Sequence, residues 1–269
     1  MTKIARITTQ KKNKQRYNIF LKEEDGEKYG FSVDEAILIE YRLRKGLELD
    51  ESFVETLKKQ DTYYQSYALA IRYLSYRMRT KKEMYDYLKE KIDEYHIPDI
   101  IDRLVKEQLL DDREFAKAFV STRINTSTKG PQLVKRELIE KGVAMVLAEE
   151  AITQYTFEIE YEKAMKWVQK KLRSSKKDSF QKQQQKIQAT LMQKGFTQDV
   201  IQEVMAEIKQ EKDTEQEQEA LEHHGIKLIR KHQRKFSGFE LIQKVKEGLY
   251  RQGFQIDKIN DFIEENIKE

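Results

Sequence analysis

Glu137-Leu138-Ile139-Glu140-Lys141-Gly142-Val143 is the stretch whose reading decides the fold. It sets a leucine four residues before a glycine, an apolar residue directly after that glycine, and further apolar side chains at Leu147 and Ala151. The same phrase returns as Leu191, Gly195 and Phe196 with Val200 and Val204. It returns again as Leu249, Gly253 and Phe254 with Ile259 and Phe262. A degenerate copy stands earlier, with Leu88, Ile92 in the place of glycine, then Ile97, Ile101 and Val105. Successive anchor leucines lie 50, 53 and 58 residues apart, the period of a repeat architecture.

Each phrase has a physical meaning. A helix that ends on glycine uses the one residue that enters the left-handed region cheaply. Apolar side chains at i, i+4 and i+8 then give the following helix a buried stripe. Upstream of each anchor a small residue precedes a bulky one: Ala70-Ile71, Ala118-Phe119, Ala164-Met165 and Gly225-Ile226. Those pairs predict a first helix crossing a neighbour closely at the small residue. The unit is therefore three helices long. Start signals agree: Thr80 with Glu83 and Ser237 with Glu240 have capping-box spacing, and Pro131 and Pro98 stand where a helix opens.

Ahead of the repeats the period changes from 3.6 to 2. Residues 3–9, 16–22 and 29–33 alternate, with Tyr17, Ile19 and Leu21 on one face, and Asp25-Gly26 supplies a hairpin turn. Asp34 and Asp50-Glu51-Ser52 each open a short helix. The expected fold is mainly α: tandem three-helix repeats in an elongated, curved array, with a small N-terminal β-hairpin or sheet plus short helices. The expected divisions are residues 1–60, 61–107, 108–155, 156–210 and 211–269. So small an N-terminal sheet must dock on the helical part of the chain.

Composition narrows function by exclusion. With no Cys in 269 residues there are no disulfides, thiolate metal sites or thiol catalysis. Ten Gly and two Pro are too few for a turn-rich β or doubly wound fold. No apolar run approaches the roughly 18 residues of a spanning helix, and the N-terminus lacks the apolar core of a secretory signal. A cytoplasmic protein is the expectation. No glycine stands in phosphate-loop spacing, no HExxH occurs, and His223-His224 are adjacent rather than four apart. No metal, cofactor or enzymatic activity is expected.

The charge balance, 51 Lys and Arg against 47 Asp and Glu, conceals segregation. Residues 163–186 carry nine cations and one acid, and residues 207–222 are acidic. Further basic clusters are Arg72, Arg77, Arg79, Lys81 and Lys82, and Lys227, Arg230, Lys231, Arg234 and Lys235. Each falls near the first helix of a repeat, so the array would carry positive charge at equivalent places. Such a strip suits a polyanion or an acidic filament; solvated loops that keep a helical protein soluble are the plainer alternative. Tyr73, Tyr76, Tyr85, Tyr87 and Trp167 stand near the cations and could stack on bases. At helical spacing, core packing is the competing role.

One run is more specific. Ala70 through Met84, reading Ala-Ile-Arg-Tyr-Leu-Ser-Tyr-Arg-Met-Arg-Thr-Lys-Lys-Glu-Met, resembles the first-repeat signature of the RecX regulatory proteins. Leu110-Asp111-Asp112, Phe115-Ala116, Phe119-Val120, Arg123, Gly130-Pro131 and Glu137-Leu138 through Lys141-Gly142 are similar to the second. The resemblance covers about residues 60–265; Ile92 departs from it, and the last two repeats are more diverged.

What the resemblance implies is a non-enzymatic modulator; a monomer is the expectation for its oligomeric state. It would bind the RecA–DNA filament and inhibit or destabilise it, tempering recombinational repair and the SOS response. Partner-contact candidates are Arg72, Arg77, Arg79, Lys81, Lys82, Arg123, Lys135 and Arg136 in the recognised repeats. Beyond them stand Lys166, Lys170, Lys171, Arg173, Arg230, Lys231 and Arg234. For Arg77 and Arg123 an ion pair within the repeat is an equal alternative. A direct DNA-binding protein, with helix-turn-helix-like repeats on single- or double-stranded DNA, is the rival function.

Overall fold

A computed structural model describes residues 1–174, 178–210 and 214–267. The chain forms two compact units, Met1–Phe115 with Lys141–Val143, and Ala116–Glu140 with Ala144–Glu269.

In the first unit, strands β1 (Thr2–Thr9), β2 (Arg16–Glu23), β3 (Gly26–Asp34) and β4 (Glu48–Leu49) make an antiparallel sheet in the order β3-β2-β1-β4. The two or three strands expected are thus four. Tyr17, Ile19 and Leu21 do share the core face, with Ile4, Phe31 and Val33. Asp34 caps α1 (Glu35–Glu40), and Asp50 caps α2 (Glu51–Leu74) by accepting the Phe53 N–H at 2.7 Å.

Helix α2 runs unbroken through residues 60 and 61. At that point Asp61 is buried and accepts both arms of the Arg16 guanidinium, at 3.1 and 2.8 Å, together with the Asp34 N–H at 2.8 Å. That pair docks the sheet onto α2. The distal half of α2 then packs with α3 (Lys81–Lys89) and α4 (Ile97–Lys106) around Ala70, Met84, Leu88 and Leu104. The buried stripe of α4 is Ile97, Ile100 and Leu104 rather than Ile97, Ile101 and Val105, a shift of one residue.

The second set of three helices is α5 (Asp112–Thr126), α6 (Pro131–Glu140) and α7 (Met145–Ile152). The third is α8 (Phe157–Ser174), α9 (Phe180–Gln193) and α10 (Gln198–Gln210), with Ala164, Leu191, Val200 and Val204 buried. The fourth is α11 (Thr214–His232), α12 (Gly238–Arg251) and α13 (Ile256–Asn266). Gly225 of α11 lies so close to the Phe262 ring that an added Cβ would meet it at 2.2 Å. In α5, however, Ala118 is exposed, and the buried small residue is Ala116, on the opposite side of the helix.

A recurring joint organises the repeats. Gly142, Gly195 and Gly253 close α6, α9 and α12 at φ +88, +79 and +89. The carbonyl just before each of them is captured at the N-terminus of the second helix of the preceding repeat. Buried Thr80 donates its hydroxyl to the Lys141 carbonyl at 2.7 Å while accepting the Glu83 N–H at 3.0 Å. Gly130 donates its N–H to the Lys194 carbonyl at 2.8 Å. Ser179 donates its hydroxyl to the Gln252 carbonyl. Carboxylates from the next repeat satisfy the first helical N–H: Asp112 accepts from Lys81, and Glu217 from Phe180. The middle joint has Pro131 at that position, which has no N–H to satisfy. The fourth N-cap differs: Ser237 is exposed and makes no side-chain cap, so its capping-box spacing with Glu240 is not realised.

Candidate partner-binding faces

The basic residues separate into those held by the fold and those that are not. Arg77 grips Glu83 with both guanidinium arms, at 3.0 and 3.2 Å, and Lys141 reaches the same carboxylate at 2.8 Å. Burial pushes the Glu83 carboxyl up, but the hydrogen bonds and charges of Arg77 and Lys141 outweigh it and hold it below the ordinary value. Arg79 lies 3.9 Å over the Tyr73 ring, which stacks at 3.9 Å on Tyr87. The stem of Lys82 covers Gly142. Lys81 is exposed at the start of α3, and Arg72 is exposed on the last turn of α2.

In the second repeat Arg123 pairs with Glu137 at 2.8 Å and lies over Phe119, and Lys129 closes on the same carboxylate. Burial works against Glu137, but Lys129 and Arg123 together lower its pKa. Lys135 meets Glu149 at 2.8 Å. Arg136 is exposed. For Arg77 and Arg123 the ion pair within the repeat is therefore the arrangement found.

In the third repeat the cations gather at a cleft of about 630 Å³ between α8 and the turn that follows α5. Lys166, Lys170 and Lys171 line it beside the half-buried Trp167. Two lysines that were not among the candidates build this place. Lys163 caps the end of α5 by donating to the Arg123 and Ile124 carbonyls, and burial lowers its pKa. Lys194 donates to Thr128 Oγ1 at 2.9 Å and sits 5.6 Å from the Trp167 ring. The run Asn125-Thr126-Ser127-Thr128, rich in small polar residues, was the available signal for the opposite wall. The Arg173 side chain, with Lys176 and Lys177, lies outside the described residues.

In the fourth repeat Arg230 and Lys231 are exposed on the last turn of α11, where cations favour the negative helix end, and Arg234 is exposed just beyond. Among the aromatics Tyr76 is exposed, whereas Tyr73, Tyr85 and Tyr87 are half-buried in contacts within the repeat. No helix among the described residues is long and apolar enough to cross a membrane, and no cluster of metal-ligating side chains occurs among them.

Comparison with known proteins places these features. Residues 2–50 match the profile of the regulatory protein RecX N-terminal domain, 67–104 the first RecX three-helix domain, and 111–152 the second. The third-domain profile matches twice, over 158–205 and 215–263. The regulatory protein RecX of Oceanobacillus iheyensis is 52% identical over 271 residues, spanning the whole of both chains. That of Bacillus cytotoxicus is 39% identical over 270 residues, again over both whole chains. A crystal structure of regulatory protein RecX, 38% identical, superposes with a TM-score of 0.68 over 76% of this chain and 98% of its own. A second, RecX from Lactobacillus salivarius, gives 36% identity and a TM-score of 0.54, over 56% of this chain and 98% of its own. The chain therefore belongs to the RecX family of regulatory proteins.

Proposed function

We propose that this chain binds the RecA–DNA filament and inhibits or destabilises it, and so modulates recombinational repair and the SOS response. It acts as a cytoplasmic monomer without catalysis of its own. The observation that carries the reading is the family membership, which extends through the N-terminal domain and all four repeats. The distribution of charge supports it: Arg72, Arg136, Lys166, Lys170, Arg230 and Arg234 are exposed and remain available to an acidic or nucleic-acid surface. Arg77, Arg123 and Lys135 serve the fold first, through Glu83, Glu137 and Glu149. The repeats are proposed to divide at 61–107, 108–155, 156–210 and 211–269.

The test is a titration of RecA ATP hydrolysis on single-stranded DNA. Substoichiometric protein is expected to slow the steady-state rate. An unchanged rate at equimolar protein would refute the reading.

A further inference from the structure

Helix α11 divides its charge by halves. Residues 214–222 hold four glutamates and no Lys or Arg, and residues 223–235, which run past the end of the helix, hold five Lys or Arg and no acid. The helix dipole favours acids at the start and cations at the end, but only within the first and last turn. Glu219 and Glu222 stand beyond the first turn, and Lys227 stands before the last. The segregation also sets like charges four residues apart, as in Glu215 with Glu219 and Lys227 with Lys231, where alternation would make attractive pairs. Among the described residues the side chains of Glu219, Lys227, Arg230 and Lys231 have no hydrogen-bonding or ion-pair partner. A helix arranged only for solubility gains nothing from this pattern.

The helical period gathers these residues on one face. At 3.6 residues per turn, Glu215, Glu219, Glu222, Ile226 and Arg230 fall within about 40° of one line along the helix, and all five are exposed. The buried Ala220, Leu221 and Gly225 lie on the other side. Ile226, 41% exposed, is thus an apolar residue at the centre of the solvent face, between an acidic half and a basic half. One surface complements such a face in full: the same face turned end for end. Two α11 helices laid antiparallel, with a two-fold axis between His224 and Gly225, bring Glu219 level with Arg230 of the second copy. Glu222 comes level with Lys227 of that copy, and symmetry repeats both pairs. Glu219 and Arg230 lie within about 20° of one another around the helix, so they also share a flank. Ile226 comes level with His223 of the second copy, close to the axis, which leaves apolar surface inside and charge outside. A parallel arrangement would set acid against acid and cation against cation.

We propose that the free chain pairs through α11 with a second copy of itself, antiparallel and two-fold symmetric. The pair covers Arg230, a candidate for partner contact, so the paired form and the monomer that acts on the filament are alternatives. The inference goes beyond the filament reading and does not rest on it. A single helix pair lies at the small end of interface sizes, so the association is weak and reversible. Its ion pairs lie at the rim, where salt screens them.

The experiment is sedimentation equilibrium of the full chain, freed of nucleic acid, at about 50 and about 500 mM salt, where the screening length falls from about 14 to about 4 Å. The mass is expected to rise with concentration toward twice that of the monomer in low salt, and to return to the monomer value in high salt. Glu219→Lys with Glu222→Lys makes the face basic throughout, and Lys227→Glu with Arg230→Glu makes it acidic. Each double variant should self-associate at least tenfold more weakly without a shift in its thermal melt, since all four side chains are exposed. An equimolar mixture of the two restores four attractive pairs and should associate at least as tightly as the parent. A parent that stays monomeric in low salt up to about 0.5 mM, where even a millimolar association registers, would overturn the pairing. So would double variants that associate as the parent does, or a mixture that fails to associate. The RecA ATPase titration reads the filament proposal separately, so either can fail without the other.

Discussion

The closeness of the joint between the second and third repeats can be measured with three glycine-to-alanine substitutions in one unit. Gly195, Gly253 and Gly238 all have positive φ, at +79, +89 and +52. Alanine at any of them meets the left-handed penalty of roughly 1–2 kcal/mol, partly offset by the lower entropy of the unfolded chain. Those contributions are common to the three, so the differences isolate what the new methyl group touches. At Gly238 nothing lies within 4 Å. At Gly253 the neighbours are Gln181 Oε1 at 3.0 Å, which can swing aside, and Ser179 Oγ at 3.1 Å and Gln181 Cβ at 3.2 Å, which need give by only a few tenths of an ångström. At Gly195 the methyl would sit 2.4 Å from the Leu133 backbone nitrogen and 2.7 Å from its Cβ. Relief there requires α6 and α9 to move apart by about 1 Å, an overpacking cost of about 1–3 kcal/mol beyond the shared penalty. Urea unfolding followed by Trp167 emission should therefore rank the losses as Gly238→Ala, then Gly253→Ala, then Gly195→Ala. If Gly195→Ala and Gly238→Ala agree within about 0.5 kcal/mol, the joint is not the close contact described.

Other outcomes rest on neighbouring contacts. Thr80→Ala removes a helix cap and orphans the Lys141 carbonyl, which should lower stability by about 2–3 kcal/mol in urea, whereas Thr80→Ser should recover most of the loss; equal losses would deny the hydroxyl its role. Asp61→Ala leaves the Arg16 guanidinium uncompensated beneath the sheet and should cost about 3–5 kcal/mol, and a loss under about 1 kcal/mol would show that the pair does not dock the sheet. Glu83 and Glu137 have folded pKa values held below the ordinary 4.5, so their stabilisation is complete above that value and is lost as pH falls through the lowered one. Glu83→Gln should weaken the protein at neutral pH yet flatten the decline of its urea midpoint below about pH 4.5; an undiminished decline would contradict the assignment.

The repeat was readable because its markers are local. Gly142, Gly195 and Gly253 adopt the backbone geometry that only glycine reaches cheaply, and Thr80 caps α3 with the Glu83 N–H three residues on. What escaped reading depends on distant partners. The carboxylate of Asp61 serves Arg16, 45 residues away, in the middle of α2. Strand β4 is two residues long and exists only because β1 lies beside it. Ala116 and Ala118 are equally small, and only the packing decides which one turns inward. Ser237 has the right spacing to Glu240, but Gly238 at φ +52 distorts the first turn and the hydroxyl does not reach.

The same divide governs the binding faces. The positive residues were visible as charges, while their partners were not: Glu137 is 14 residues from Arg123, and Glu149 is 14 from Lys135. Beside the cleft, Lys194 from one helix end meets Thr128 of a turn and Trp167 of a third element, a combination that no spacing rule contains.

The joint also bears on how such a chain can change length over generations. Donor and acceptor belong to the same kind of segment: the second and third repeats each carry a hydroxyl or amide that faces forward and a carbonyl before a glycine that faces back. A segment copied in tandem arrives with both halves, and its neighbours need no compensating substitution to receive it. Residues 158–205 and 215–263 answer to one profile. The number of repeats is then a quantity that selection can adjust one whole unit at a time.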